Sequence, residues 1–504
     1  MNILNQFSVF FTQIGSILTS PGQLLLLFGC TFMGIIFGAL PGLTATLGVA
    51  LLTTLTYGMS LNVAMVALMA IYVGAVYGGS FSAITLNIPG TAASAATAME
   101  GYPMAKKGLA GKALGLTTTA SAIGTVFSIL FVVVFIPLIS ELALQFTSVE
   151  YFLLAFFGIQ ISGSISCPDT VQKGWLAGFF GLFLAMVGTD SLQVYPRFTL
   201  GYYPLEGGIE VVPVLIGAFG IPQIIQVLKE QQAPPKATKL DKIIPSWKSI
   251  GKRLGHIVRS ALIGVGIGSV PGIGEDIAAW VSYGTAKGTS KHPEEYGTGC
   301  EEGIIATEVA NNACIGGAMI PLLSMGIPGS PPAAMLLGAL LLHGVSPGPM
   351  LQIDRPGFIT EVAAILLLAS FAMWFCGIFL APRVVKILQV PPALFMPVVG
   401  ILCIIGSYAL GLKIFNLYLM IPMGVITYYL VKYGFPVPPL VIGVILGKMA
   451  DANLRRGLMV SEGSLKPFFT RPVALILIIV IFVTFITNTS MYQNFKARRK
   501  AKKA

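Results

Sequence analysis

Residues 77–108 read YGGSFSAITLNIPGTAASAATAMEGYPMAKKG. They decide the fold because they interrupt a segment otherwise greasy enough to cross a bilayer. Gly78 and Gly79 loosen the backbone, and Pro89-Gly90 removes an amide donor where the apolar run should continue. Ser80, Ser82, Thr85, Asn87, Thr91 and Ser94 surround the interruption with small hydrogen-bonding side chains. An unpaired backbone group in lipid costs several kcal/mol, so irregular backbone persists only inside protein or beside a wet cavity. The stretch reads as a broken helix next to a solute site.

The rest of the chain supports a membrane setting. Of its 504 residues, 55% are apolar and 10% charged, and the mean hydropathy is +0.84. Ordinary soluble domains carry about 25% charged residues. Apolar runs near the roughly 20 residues a spanning helix needs recur at Leu24–Leu40, Gly124–Ile139, Val362–Leu380 and Val473–Ile486. The alternating segments of a transmembrane barrel, about 10 residues each, are absent. The expected fold is an all-α polytopic membrane protein with roughly 10–12 spans plus broken or re-entrant helices. Lys and Arg gather at Lys106–Lys112, Lys229–Lys252 and Lys496–Lys503. This is the pattern of cytoplasmic loops facing membrane lipid, and no nucleic-acid partner is expected from it. The six cysteines form no CxxC pair and read as packing residues.

The organisation follows from a repeat. Gly34-x3-Gly38-x2-Pro41-Gly42 recurs as Gly264-x3-Gly268-x2-Pro271-Gly272, an offset of 230 residues from Pro41 to Pro271. Asn87-Ile88-Pro89-Gly90-Thr91 recurs as Gly326-Ile327-Pro328-Gly329-Ser330, an offset of 239 from Pro89 to Pro328. A polar insert around Lys287–Gly299 absorbs the difference. Three lysines follow the first Asn-Ile-Pro-Gly break, whereas Arg355 is the lone basic residue in Leu341–Gly357 after its counterpart. By the positive-inside rule the two exits face opposite sides, so the repeats are expected to be inverted in topology. The expected parts are an interfacial segment 1–20, repeat 1 over 21–228, a basic cytoplasmic linker 229–256, repeat 2 over 257–490, and a basic tail 491–504. The tail places the C-terminus in the cytoplasm. Among the spans, one is expected at Pro436–Lys448, followed by a polar connection Asp451–Lys466.

Two kinds of site are expected. A helix starting after a Pro-Gly break offers free amides carrying roughly half a positive charge, a receptor for a carboxylate. Pro41, Gly42, Pro89, Gly90, Pro271, Gly272, Pro328 and Gly329 mark such starts, with Thr44, Thr46, Asn87, Thr91, Ser94 and Ser330 adding polar groups. Glu308, inside the apolar-leaning run Ile304–Leu323, is the second signal, because a carboxylate at membrane depth costs about 2.5 kcal/mol or more and is retained for function. With Asn87, Asn311 and Asn312 it offers hard oxygen ligands for Na⁺, or a site for H⁺. The competing reading puts Glu308 near the surface, paired with Lys287 or Lys291. Glu275 and Asp276, right after Pro271-Gly272, offer similar acidic ligands at a helix N-terminus, where helix capping is the competing reading. Glu100-Gly101-Tyr102-Pro103 reads as a surface turn, and the small-xxx-small glycines as helix packing.

Several of these stretches also carry a family resemblance. They are Gly38-Ala39-Leu40-Pro41-Gly42-Leu43-Thr44, Tyr77-Gly78-Gly79-Ser80, Asn87–Thr91 with Ala93-Ser94-Ala95, and Gly101–Gly108. Further along stand Glu302-Gly303, Ala310–Ala313, Gly316-Gly317-Ala318, Ile320-Pro321-Leu322 and Gly326–Ser330. Together they resemble the large membrane subunit of the tripartite tricarboxylate transporters, the TctA family, over nearly the whole chain. Glu100 stands where the family pattern has Asp, and Thr307 where it has Pro. The resemblance implies a secondary active permease in the bacterial inner membrane that imports di- or tricarboxylates, coupled to Na⁺ or H⁺ and using no organic cofactor. It also implies two partners, a small TctB-like membrane subunit and a TctC-like periplasmic solute-binding protein. A passive anion channel and a non-transporting assembly subunit are the alternatives. An enzyme is not expected, since neither an HExxH motif nor a nucleophile–base pair stands out.

Overall fold

The computed structural model describes residues 3–167, 170–190, 192–230, 240–243, 247–409 and 411–488. Of the expected basic linker, residues 231–239 and 244–246 lie outside this range, as does the whole expected tail 491–504. The first six helices are α1 (Ile3–Thr19), α2 (Pro21–Ala39), α3 (Ala45–Leu55), α4 (Leu61–Leu86), α5 (Ser94–Lys106) and α6 (Ala110–Ala143). Then come α7 (Ser148–Ser166), α8 (Val171–Ala185), α9 (Val211–Glu230), α10 (Trp247–Gly251), α11 (Leu254–Gly268), α12 (Gly274–Thr289) and α13 (Glu301–Met325). The last are α14 (Pro331–Leu342), α15 (Leu351–Asp354), α16 (Phe358–Phe379), α17 (Ala381–Ile387), α18 (Met396–Ala409), α19 (Phe415–Lys432), α20 (Val437–Val460), α21 (Lys466–Thr470) and α22 (Pro472–Asn488). Among the described residues, eight helices are long and apolar enough to span a membrane, fewer than the count expected from the sequence. Six further apolar helices of 10–17 residues fall short of that length, among them α8 and α22 as well as α3, α11 and α14 beside the breaks.

The chain forms two compact units, Met1–Glu141 with Phe219–Leu417 and Leu142–Ala218 with Tyr418–Ala504. Both draw residues from each of the stretches 21–228 and 257–490.

In the first unit the sequence repeat becomes a repeat of contacts. Helix α2 packs on α4 as α11 packs on α13. A Cβ on Gly34 or Gly38 would meet the carbonyl oxygens of Ile71 and Ala75 at 2.4 and 2.0 Å. A Cβ on Gly264 or Gly268 would meet those of Ala310 and Cys314, both the same distances on in the chain, at 2.3 and 2.4 Å. The small residues are thus there for backbone approach. Crossing contacts also correspond: α3 packs on α14, and α12 on α5. Both long helices end in a left-handed residue, Asn87 at φ 57° and Gly326 at φ 73°. Equivalent helices α4 and α13 run antiparallel, since Ser80 meets Glu308 while Val76, one turn earlier, meets Asn311 further along α13. Equivalent long helices with opposite directions make the repeats inverted.

In the second unit α20 packs on α7 and α8, and α22 on α7. Glycine again sets the distance, with a Cβ on Gly181 falling 1.9 Å from the Leu440 carbonyl oxygen. The connection expected at Asp451–Lys466 is instead helical as far as Val460. Two of its charges, Asp451 and Arg455, are paired rather than solvated. Arg197 donates to both Asp451 oxygens at 3.2 and 2.7 Å, and Arg455 bonds Asp190 and lies 3.4 Å from Asp451. The Arg455 guanidinium, followed by the Leu192 amide, holds the Asp190 carboxyl well below the usual carboxylate range.

Candidate functional site

Glu308 lies in the middle of α13 and is fully buried. Among the described residues it has no lysine partner. Ser80 of α4 donates to Oε1 at 2.6 Å, Thr97 of α5 donates to the same oxygen, and Ser121 of α6 donates to Oε2 at 2.7 Å. Three elements of the first repeat thus place hydroxyls around one acid of the second. Hydrogen bonds to an ionised acceptor are worth about 1.5–3 kcal/mol each, enough in sum to offset much of the burial cost of a carboxylate.

One turn further, Asn311 donates from Nδ2 to the Val76 carbonyl at 3.1 Å, and Asn312 donates to Thr125 Oγ1 at 3.2 Å. Both side chains are buried, and among the described residues neither Oδ1 has a hydrogen-bond partner. Buried polar atoms are satisfied in the large majority of cases, so two orphaned acceptors beside a buried acid demand an explanation. The grouping of carboxylate, hydroxyl and amide oxygens has the chemistry of a hard-cation site. Asn87 does not share this environment: it is the exposed C-cap of α4, one of six non-glycine residues with positive φ among those described.

The breaks come together in pairs. A Cβ on Gly90 would lie 2.1 Å from the Gly38 carbonyl oxygen, and one on Gly329 would lie 2.0 Å from that of Gly268. A link between the repeats joins the second break to the third, where Asp276 Oδ1 accepts the Ala93 N–H at 2.9 Å. Glu275 Oε1 accepts from Tyr72, whose hydroxyl lies 2.8 Å from Ser330 Oγ. The polar groups expected to meet substrate mostly serve the breaks themselves. Thr44 and Ser330 cap α3 and α14 by accepting from the Leu47 and Ala333 amides, while Thr91 and Ser94 accept from each other's amides. Thr46 is buried in the first turn of α3, and Pro271, Gly272, Pro328 and Gly329 are buried too. Pro41 and Gly42 line an open cleft together with Gln223, Val227 and Pro392.

Glu100 corrects the reading of residues 100–103 as a surface turn. They continue α5, and Glu100 is fully buried. Its carboxylate accepts the Gly297, Gly299 and Cys300 amides at 2.6, 2.9 and 2.7 Å and the Tyr283 hydroxyl at 2.8 Å. It therefore fixes the end of the polar insert and the start of α13, the helix that carries Glu308. In Glu100→Gln an amide NH₂ must face at least one of these N–H donors. The expected cost is about 2 kcal/mol or more. It is read as a lower unfolding temperature with faster protease cleavage inside residues 287–299.

Sequence reasoning passed over Tyr72, Thr97 and Ser121 as site residues. A signal existed for the last: Thr117, Ser121, Thr125 and Ser128 form a fully buried hydroxyl stripe at helical spacing on apolar α6.

Helical hairpins of two related repeats closing on a buried, hydroxyl-lined carboxylate define a polytopic all-α membrane protein. The chain belongs to the tripartite tricarboxylate transporter TctA family, whose model matches residues 24–442, and this makes it a transporter subunit. It is 33% identical over 464 residues to the uncharacterized 52.8 kDa protein in the TAR-I ttuC′ 3′ region of Agrobacterium vitis, covering 92% of both chains. It is also 34% identical over 208 residues to an uncharacterized protein in the TAR-II ttuC′ 3′ region of the same organism, covering 41% of this chain and 86% of that one. No solved structure matches the chain significantly.

Proposed function

We propose that the chain is the permease subunit of a cation-coupled importer of di- or tricarboxylates in a bacterial inner membrane, with its C-terminus in the cytoplasm. A periplasmic solute-binding protein delivers the substrate, and a small membrane subunit completes the assembly. The single observation that carries the coupling is Glu308, buried among three hydroxyl donors, with the neighbouring Asn311 and Asn312 amide oxygens lacking partners among the described residues. Na⁺ coordination would draw on the carboxylate and the orphaned amide oxygens, while a proton on Glu308 neutralises the acid without serving the amides. Either ion changes the charge between two repeats that must move relative to each other for alternating access. Substrate carboxylates are held at the helix starts after the Pro-Gly breaks, with the Pro41-Gly42 cleft as the open approach.

The test is uptake of labelled di- and tricarboxylates into proteoliposomes holding the chain with its two partner subunits. Accumulation is expected only with an inward Na⁺ or proton gradient. Flux that is indifferent to both gradients overturns the coupled reading in favour of a passive channel.

A further inference from the structure

The second unit carries an apolar surface that the transport site does not explain. Between α8 and α9 the chain forms a small hairpin, Gly188–Thr189 paired antiparallel with Pro196–Arg197, followed by a turn through Leu205. Most of its outward residues are large and apolar or aromatic, with Gln193 an exposed polar exception among the described residues. Leu200 is 95% exposed, Val194 and Tyr203 each 79%, and Tyr195, Phe198 and Tyr202 are exposed as well. Val194, Phe198 and Leu200 hold positive φ values of 52–54°, a conformation that bulky side chains rarely adopt. The backbone is thus kept in a strained form that turns apolar side chains outward. The charged groups at its base are turned inward, as Asp190 and Arg197 pair with Arg455 and Asp451 of α20.

Three observations say what covers this surface. First, α8 has 15 residues, about 22 Å at about 1.5 Å per residue, against a hydrocarbon core of about 30 Å. A helix of that length does not by itself cross the core. Second, Phe198 packs on the half-exposed Phe183 of α8, ring centroids 5.2 Å apart, so the hairpin continues the exposed apolar face of this helix. Third, its polar backbone is used internally: Asp190 N–H donates to Tyr195 O, Val194 N–H to Asp190 O and Tyr202 N–H to Thr199 O, each at 2.8–3.0 Å. Such a segment tolerates an apolar medium. Tyrosines beside aliphatic groups suit the headgroup boundary, where the ring is buried and the hydroxyl stays wet.

We infer that this aromatic hairpin is an interfacial anchor, seated in the lipid headgroup region and completing the short α8 span. The test uses the whole chain, alone, in phosphatidylcholine–phosphatidylglycerol nanodiscs, with the partly exposed Cys167 and Cys300 changed to Ser. A bimane fluorophore is attached at Leu200→Cys, and separately at Tyr195→Cys. Glu294→Cys, on the exposed polar insert, is the reference position. At 200 and 195 the dye is expected to be quenched severalfold more strongly by doxyl-labelled lipid than at 294, and severalfold less by iodide. Iodide quenching equal to that at 294 overturns the anchor. So does shielding that appears only when a solute-binding protein or the small subunit is added, or that rises with protein loading, since those results assign the surface to a protein partner or a second copy. Two probe positions keep the test decisive if one variant fails to fold.

Discussion

Glu308→Gln is expected to abolish gradient-driven accumulation while leaving the protein folded. The substitution removes one charge and little else. Oε1 keeps its two donors, Ser80 and Thr97, and Ser121 can rotate its hydroxyl to accept from the new NH₂ in place of donating. A charged contact to a buried cation is worth about 3 kcal/mol, so losing it lowers cation affinity about a hundredfold. Transport driven by either gradient should fall by a similar factor, with an unchanged unfolding temperature. Glu308→Leu is a different experiment. It leaves three buried hydroxyls without their acceptor, at about 1–3 kcal/mol each, and should lower stability as well. Accumulation by Glu308→Gln at the normal rate, with normal dependence on the gradient, would remove Glu308 from the coupling site. Asn311→Ala and Asn312→Ala separate the two ions. They should weaken Na⁺ binding, because their Oδ1 atoms would be the ligands, and should spare a proton-driven cycle.

What the sequence disclosed and what it withheld have a common cause. Helix breaks are local events, made by Pro and Gly at fixed chain positions, and so their recurrence and even their inversion were readable along one dimension. The burial of Glu308 was readable too, from the apolar run on either side. Its partners were not, because Ser80, Thr97 and Ser121 lie some 190–230 residues away in the chain, and a hydroxyl in an apolar helix looks the same whether it bonds its own backbone or a distant acid. Glu100 was misread for the complementary reason. Next to Pro103 and three lysines it has the local composition of a turn, but amides from 297–300, contributed by the other repeat, make burial affordable. Compact units are likewise a property of contacts between distant segments, and they follow neither repeat boundary. The Asp451–Lys466 stretch reads as polar connection until Asp190 and Arg197 arrive from another part of the chain to neutralise it.

The second large effect concerns the glycines that set the distance between helices. Gly90→Ala and Gly329→Ala are each expected to destabilise the protein by about 3 kcal/mol or more, at the top of the usual range for overpacking. The reason is the identity of the obstacle. The new Cβ would lie 2.1 Å from Gly38 O in one case and 2.0 Å from Gly268 O in the other, with the Ala318 Cα 2.7 Å away in the latter. A flexible side chain could swing aside, but a carbonyl in a packed helix moves only with its helix. Gly266→Ala is the internal control. It lies on the same helix α11 as Gly268, its Cβ would meet nothing within 4 Å, and it is exposed. There the added methyl should be neutral or should stabilise by about 0.5–1 kcal/mol, the ordinary helical preference for Ala over Gly. Thermal unfolding of the purified variants in detergent checks all three. The two break variants should lose similar amounts, because their obstacles are equivalent carbonyls in the two repeats. If one lost stability while the other matched the wild type, the hairpins would differ in packing and the symmetry of the first unit would end at the breaks. If both behaved like Gly266→Ala, the close approach of break to helix would be wrong. Uptake adds the functional half, since a break pushed away from α2 or α11 carries its helix N-terminus with it, and substrate binding should weaken even in the fraction that stays folded.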